Sequence, residues 1–430
     1  MTKAHVIKLH PTKAQEIFFR KSCGVARFAF NWALNKWQED YANGVKQSAY
    51  SLIKHLNSIK KTEFEWMQET GKTCSQYAIH NLESSFKNYF RKLKDGTIEK
   101  QKSAYIKKRK SKGLPIVDGK LQNIGKPNFK KRGISDSFVS VEKNNDFKQK
   151  DKKIWVPRLG WVNCCEDLRF EGKVNNVVIK RIADMWFAVI NIEEKPVEMP
   201  MVSENQATIG IDMGIKAMLV LSDGTVYENP KALKSNMKSL KRMQRGLTRK
   251  VKGSNNRGKQ QMKIARKYYR VTNIRKNAIH QATIAIVKKY DKIIVETLNV
   301  KGMMQNHNLA QAISDVSFGE VVRQLSYKAQ WQGKEVVKAD QWYASSKTCS
   351  CCGHKKEKLG LGERIYNCGN CGLSIDRDLN AAKNLAKYSP TAKFAESEVC
   401  GERTVARQSS SKKQKINKLS NKIVQKCTSS

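Results

Sequence analysis

The chain has 430 residues, too long for one ordinary domain and enough for about two to four. Hydrophobic residues make up 40%, which supports real cores and excludes a disordered polycation. With 82 Lys+Arg against 38 Asp+Glu, the net charge of +44 exceeds what solubility requires and points to a polyanion, nucleic acid well before an anionic membrane.

In chain order, residues 3–9 read as a short strand ended by Pro11. From 13 to about 94 the pattern is helical: Val25, Phe28 and Trp32 form one stripe and Phe30, Leu34 and Trp37 another, both expected in a core. A second helix is predicted to start near Thr73–Ser75, with an N-cap residue before "SQYAIHNLESSFKNYFRKL". Residues 91–132 hold 15 Lys+Arg and three acids, and read as a solvated basic linker or a phosphate-contacting loop. From about 136 to 195 the segments "DSFVSVEK", "KKIWVPRLG", "NNVVIKRIA" and "MWFAVINIEEK" predict strands of a small β-barrel or sandwich. Pairing of this sheet with the N-terminal strand would make the helical region an insertion.

At 206–228 two strands joined through Gly214 precede an Asp-Gly turn, like the opening meander of an RNase H-like sheet. Residues 231–290 then carry 19 Lys+Arg and no Asp or Glu. Such a helical hairpin repels itself unless an anion neutralises it, and phosphates do so with release of counterions. Strand "KIIVETL" and a helix near 317–332 follow, and residues 391–430 read as a disordered basic tail.

Cys349-x-x-Cys352, fifteen residues, then Cys368-x-x-Cys371 matches a zinc-ribbon spacing, each pair closed by a glycine (Gly353, Gly372). Four thiolates leave no open position, so one structural Zn²⁺ is expected. Cys351 competes with Cys352, which the glycine favours, and His354 is a minor alternative. The other cysteines, Cys23 and Cys74 among them, look like isolated thiols of a reducing compartment. No apolar run approaches the ~18 residues of a spanning helix, and no signal-peptide core is visible at the N-terminus.

Acid at the end of an apolar strand needs a partner or a cation. Asp212 in "GIDMG" and Glu296 after "KIIV" are such acids, and Asp376 or Asp378 would add a third from a following helix, the other serving as its N-cap. Three such carboxylates can converge on two Mg²⁺ ions about 4 Å apart and cut nucleic acid.

The ordered set "GIDMGIKAMLVLSDG", "VETLNVKGM", "SSKTCSCCG", "YNCGNCG" and "DRDLNAAKNL", with "KLHPTKAQ…CGVARFAFNWAL" at the start, resembles the TnpB (OrfB) proteins of prokaryotic insertion sequences over roughly residues 3–390. The same core occurs in compact type V CRISPR effectors. The resemblance implies an α/β multidomain fold: a RuvC-like nuclease domain (201–344 and 374–390) carrying a zinc ribbon (345–373). A β-barrel wedge domain (1–12 and 131–200) is interrupted by a helical recognition domain (13–130). It implies an RNA-guided double-stranded DNA endonuclease, monomeric and cytoplasmic at the nucleoid, taking a transposon-end guide RNA and a short target-adjacent motif. Asp212, Glu296 and Asp378 match the three RuvC acids, and Arg364 sits where relatives carry a basic residue near the scissile phosphate. Ala344 stands where the family often has proline and Phe318 where it often has tryptophan; neither touches the acids.

A guide heteroduplex needs a positive channel. Lys241, Arg245, Arg249, Lys263, Arg266 and Arg270 of the hairpin suit it, as does 91–132, while Gln76 is a candidate for motif contacts. The rivals are a nuclease-inactive guide-directed regulator, against which the three acids argue, and an RNase H-type transposase, for which no separate helix-turn-helix is visible.

Overall fold

Alternation over the first ten residues makes a strand, and Pro11 cannot extend it. The structure, a computed structural model, describes residues 2–133, 136–141, 147–194, 207–360 and 362–389; the expected basic tail lies outside the described residues. Two compact units emerge, Met1–Pro200 with Ala232–Ile274, and Met201–Lys231 with Arg275–Ser430.

In the first unit, β1 (Thr2–His10) is followed by α1 (Lys13–Ala42), which Thr12 and Gln15 start with a reciprocal capping box. Then come α2 (Ala49–Ile59), a 3₁₀ turn (Glu65–Glu69), α3 (Lys72–Lys94), α4 (Thr97–Lys110) and α5 (Asp118–Gln122). Strands β2 (Ser137–Val141), β3 (Gln149–Lys150), β4 (Lys153–Val156), β5 (Gly160–Cys164), β6 (Lys173–Ile182) and β7 (Met185–Glu193) complete an antiparallel sheet of order β2-β6-β7-β1-β5-β4-β3. The first strand therefore lies inside the sheet, paired from Thr2–Glu193 to Leu9–Trp186, and the helices are inserted between it and its partners, as expected. Among the described residues no ladder joins the edges β2 and β3, so the sheet is described as open.

Three local expectations change. Thr73 is no N-cap: Gly71 holds that position, and the Thr73 hydroxyl donates to Val139 O of β2 at 3.0 Å, tying α3 to the sheet. The basic stretch 91–132 is helical over α4, because its run of good helix formers has no Gly or Pro and ends on Lys107–Lys110, which suit a helix C-terminus. The stripes on α1 divide: Val25, Phe30 and Leu34 are buried, whereas Phe28 and Trp32 are half-buried and line an open cavity of about 530 Å³ with Trp66.

Helices α6 (Ala232–Thr248) and α7 (Asn255–Lys289) form the basic hairpin. Gln260 Nε2 donates to Met243 O at 2.9 Å and Gln244 Nε2 to Tyr268 Oη at 2.8 Å across it. Up to Ile274 the hairpin groups with the first unit, where Arg266 chelates Asp184 of the β6–β7 turn and Tyr269 packs on Phe187; the expected boundary at 201 had placed it with the following domain.

The second unit is built on β8 (Thr208–Asp212), β9 (Ala217–Leu221), β10 (Val226–Glu228), β11 (Lys292–Val295) and β12 (Glu335–Lys338), in the order β10-β9-β8-β11-β12. The first three form an antiparallel meander, whose tight turn uses Gly224 at φ +89°, and β11 and β12 run parallel to β8. Between β11 and β12 lie α8 (Val300–Met303), α9 (His307–Val316) and α10 (Phe318–Trp331). Ile279, Ile286 and Val287 of α7 join Val321 and Leu325 of α10 against Ile209, Ile211 and Val295. A hairpin, β13 (Ile365–Asn367) and β14 (Ser374–Asp376), leads into α11 (Arg377–Ala386), which packs on β8.

Candidate active site and metal centre

Asp212 ends β8 and Glu296 is the first residue after β11. These strands are parallel neighbours with Ile211 paired to Val295, so both acids leave the sheet at one end. Open α/β sheets bind ligands at the carboxyl ends of their strands. The Glu296 carboxylate accepts the Met213 amide at 3.4 Å, which joins the two strand ends.

Asp378 arrives from α11, and a glycine lets it. A Cβ built on Gly210 would lie 2.1 Å from Ala382 O and 2.3 Å from Ala386 N, so the helix rests directly on the strand backbone. Strand side chains alternate, which puts Asp212 on the face of Gly210. Two strand residues cover about 6.6 Å and one helical turn about 5.4 Å, so contact at Gly210 and Ala382 sets Asp212 opposite residue 378, one turn earlier. Asp376 serves the helix terminus: its Oδ1 accepts the amides of Asp378 and Leu379 at 2.9 and 3.0 Å. That leaves the Asp378 carboxylate to face the strand ends, with Arg377 Nε at 3.5 Å from its Oδ1.

Burial, then the charges of Glu296 and Asp378, raise the Asp212 carboxyl well above its usual range. Burial pushes Glu296 up to about 7, against the Met213 amide and with help from Asp378. Acids so placed hold protons until a cation replaces them. An open cavity of about 570 Å³ begins at Glu296.

The cysteines meet as their spacing requires. Cys349, Cys352, Cys368 and Cys371 are the one group of three or more metal-type side chains among the described residues whose ligand atoms all lie within 4.8 Å. The three acids do not close to that degree. Cys349 and Cys371 sulfurs are 3.6 Å apart, as are those of Cys352 and Cys368. The two knuckles repeat one geometry: Gly353 N donates to Cys349 O at 3.0 Å and Cys349 N to His354 O at 2.9 Å, and Gly372 N to Cys368 O at 3.1 Å and Cys368 N to Leu373 O at 2.8 Å. Both glycines have positive φ, +77° and +72°, which lets the turn close. Backbone hydrogen bonding at His354, with Asn370 Nδ2, lowers the Cys352 thiol to about 6. Four soft donors at this separation suit one metal ion with no open position. Cys351 and His354 stay outside the cluster, which resolves the register in favour of Cys352.

Sequence reasoning missed the residues that join the two centres. Asn380 and Asn384, both buried, lie four apart on α11. Asn380 accepts Ser350 N at 2.9 Å and donates to Thr348 O at 2.7 Å. Asn384 donates to Ser345 O and Thr348 O at 2.7 and 2.6 Å, and Lys387 Nζ to Ser350 O at 2.7 Å. One face of α11 thus grips the first cysteine knuckle while another carries Asp378 and the sheet contacts. The signal available was two asparagines at i, i+4 on a short helix, with Lys387 close to one turn further on.

The basic candidates are spread out. Lys241, Arg245 and Arg249 are exposed along α6 and just beyond it, and Lys263, Arg266 and Arg270 along α7. Arg266 is already engaged by Asp184, Nε to Oδ1 at 2.9 Å plus a second contact. Gln76 is half-buried on α3. Arg364 is exposed, and its carbonyl accepts the Arg377 amide at 2.8 Å, so it neighbours the start of α11.

Comparisons with known proteins fit this layout. A family model described as "Probable transposase" (OrfB_IS605) matches residues 189–307 and a "Cas12f1-like, TNB domain" matches 318–385. A "Helix-turn-helix domain" model matches 1–46, a motif not visible in the sequence; there the structure has β1 and the single 30-residue helix α1. "Putative RNA-guided DNA endonuclease InsQ" of Escherichia coli (strain K12) is 30% identical over 403 residues, covering 89% of this chain and 91% of its own. "Putative RNA-guided DNA endonuclease" of Streptomyces pristinaespiralis is 28% identical over 389 residues, covering 89% and 88%. A solved "Cas12f1-sgRNA-target DNA complex" matches at 17% identity with a TM-score of 0.32, covering 90% of this chain and 99% of that one, too loose a likeness to carry geometry across.

Proposed function

The chain belongs to the TnpB (OrfB) family, and on that premise we propose that it is an RNA-guided double-stranded DNA endonuclease with one RuvC-like, Mg²⁺-dependent site. One observation carries the reading: in a chain of net charge +44, three carboxylates from two strand ends and a helix start are held at one place, and burial and the neighbouring acids raise the proton affinity of Asp212 and Glu296. The sheet order, an antiparallel meander followed by two parallel strands, supports an RNase H-like core.

Asp212, Glu296 and Asp378 would hold two Mg²⁺ ions, whose chemistry is to activate water and to neutralise the leaving oxygen. The Met213 amide orients Glu296, Asp376 fixes the start of α11 and so the aim of Asp378, and Gly210 sets the depth of that helix. Cys349, Cys352, Cys368 and Cys371 would hold one structural Zn²⁺. The sheet of the first unit serves as the wedge and its helices as the recognition domain. Lys241, Arg245, Arg249, Lys263 and Arg270 contact the phosphates of a guide heteroduplex made by a transposon-end RNA. Gln76 sits on the helix proposed to contact the target-adjacent motif, and Arg364 beside the scissile phosphate. The protein works as a monomer in the cytoplasm at the nucleoid; no described helix is long and apolar enough to cross a membrane.

The test is purification from cells carrying the native flanking DNA, sequencing of the co-purified RNA, and incubation of the complex with matched duplex and Mg²⁺. A discrete RNA and cutting of both strands are expected, with Asp212→Ala binding target but leaving it intact. Absence of a discrete RNA, or cutting by Asp212→Ala, refutes the assignment.

A further inference from the structure

The cavity of about 530 Å³ on α1 has no part in the chemistry proposed above. Residues 24, 27, 28, 31, 32 and 35 line it, the spacing of one continuous helix face, and Trp66 of the 3₁₀ turn adds a further wall. This face lies opposite the one that buries Ala26, Phe30 and Ala33. Its rings are held by other rings: Phe28 meets Trp66 at 5.1 Å and Phe64 at 4.8 Å between centroids, and Trp32 meets His55 at 5.3 Å, all edge to face. Trp66 is nonetheless 45% exposed, so its ring is both oriented and open to a further partner.

Gly24 gives the sharpest signal. Glycine inside a helix weakens it relative to alanine. Here no neighbour in the protein requires one, because a Cβ built on Gly24 meets nothing within 4 Å. What remains is the close approach of a ligand to the helix backbone, a standard use of glycine. The charge around the cavity suits an anion. Arg27 Nη1 and Arg181 Nη1 share the Asp136 carboxylate at 3.6 and 3.7 Å, so one acid serves two guanidiniums. Asn31 spends its amide on the Lys130 backbone, donating to its O at 3.0 Å and accepting its N at 2.7 Å, which brings the exposed Lys131 and Arg132 close by. Among the described residues no acid lines the cavity. Rings beside cations are what unpaired bases and their phosphates bind, with little regard to base identity.

We propose that this cavity takes one unpaired nucleotide of the guide RNA, its base against Trp32 and Trp66 and its phosphate toward Arg27, with Gly24 leaving it room. A paired base cannot leave its partner for such a recess, so the nucleotide lies outside the helices of the RNA. The proposal rests on the endonuclease reading for the identity of that RNA.

The test measures binding of the co-purified RNA, transcribed anew, to the full chain freed of RNA, at two salt concentrations and without target. Gly24→Leu fills the cavity and suits the helix, so it should melt no lower than wild type yet bind about tenfold more weakly. Trp66→Ala should weaken binding by a similar factor at both salt concentrations, because stacking neutralises no phosphate, and Trp66→Phe should keep most of the affinity. Arg27→Gln should instead flatten the dependence of log Kd on log salt by about 0.7. An abasic nucleotide walked through the RNA should find one position that costs the wild type about tenfold and costs Gly24→Leu nothing further. Unchanged binding by Gly24→Leu, or the lack of any such position, overturns the proposal. Should Gly24→Leu melt lower, Trp66→Ala decides by the same comparison. Loss of binding that appears only when matched target DNA is added assigns the cavity to a DNA strand and overturns the guide assignment. If no discrete RNA co-purifies, the endonuclease reading fails, and the same variants against single-stranded oligouridylate still decide whether the cavity holds a nucleotide.

Discussion

Replacing Gly210 by alanine should cripple cutting while sparing target binding. The added methyl would sit 2.1 Å from Ala382 O, 2.3 Å from Ala386 N and 2.9 Å from Leu385 C, all backbone atoms that cannot swing aside. Regaining ordinary van der Waals separation pushes α11 off β8 by about 1 Å or slightly more. The helix carries Asp378, and misplacement of a reacting group by about 1 Å costs on the order of 100-fold in rate. Overpacking of this kind also destabilises by about 1–3 kcal/mol. An undemanding strand glycine would behave oppositely, gaining about 0.5–1 kcal/mol on substitution by alanine. Single-turnover cleavage, gel-shift binding and a thermal melt of the same preparation separate the cases. A Gly210→Ala protein that melts higher, or cuts within threefold of wild type, would refute the account of how Asp378 is positioned.

Three further outcomes are expected. Glu296 holds its proton to about 7 against a usual 4.5, so in the absence of divalent ions the folded chain carries extra protons between these values and the site loses stability as pH rises through that window. Apparent Mg²⁺ affinity should accordingly climb by about tenfold or more per pH unit below 7, since Asp212 also holds its proton above the usual range; a flat Mg²⁺ titration from pH 5.5 to 8 would contradict the buried acid cluster. Asn384→Leu removes two hydrogen bonds and strands the carbonyls of Ser345 and Thr348, a loss of about 1–3 kcal/mol. It should therefore quicken proteolysis at the cysteine knuckle and speed metal loss to a chelator, and unchanged rates of both would show that α11 does not clamp the ribbon. Arg266→Ala should weaken RNA binding less than Arg270→Ala, measured by filter binding at two salt concentrations, since the Arg266 guanidinium is engaged by Asp184; the reverse order would mean that the pair opens for RNA.

Period and charge made much of this legible in advance. The N-terminal strand, the interrupted sheet, the meander before Asp212 and the cysteine pairs all follow from local patterns that short-range physics enforces. Asp376 and Asp378 could not be told apart by spacing, because either can cap a helix, and only the amide contacts show which one does. Gly210 looked like any residue of an apolar strand, since its function is to admit a helix from 170 residues downstream. Asn380 and Asn384 were silent for the same reason, their partners being carbonyls of another segment. Thr73 misled because a hydroxyl near a helix start serves equally well as a cap or as a donor to a distant strand.

The position of β1 bears on how the chain is made. This strand is the central member of its sheet by order but the earliest by synthesis, and its main partner, Met185–Glu193, follows more than 170 residues later. At about 5–20 residues per second, the ribosome exposes β1 for roughly 10–40 s before that partner exists. During this interval "HVIKL" presents two unpaired edges, the kind of segment that seeks other strands. The helices α1 to α4 also pack on one another and are synthesised inside that interval, so they can assemble first and flank the waiting strand. Slowing translation between residues 10 and 185 should therefore lower soluble yield more than slowing it anywhere after β7.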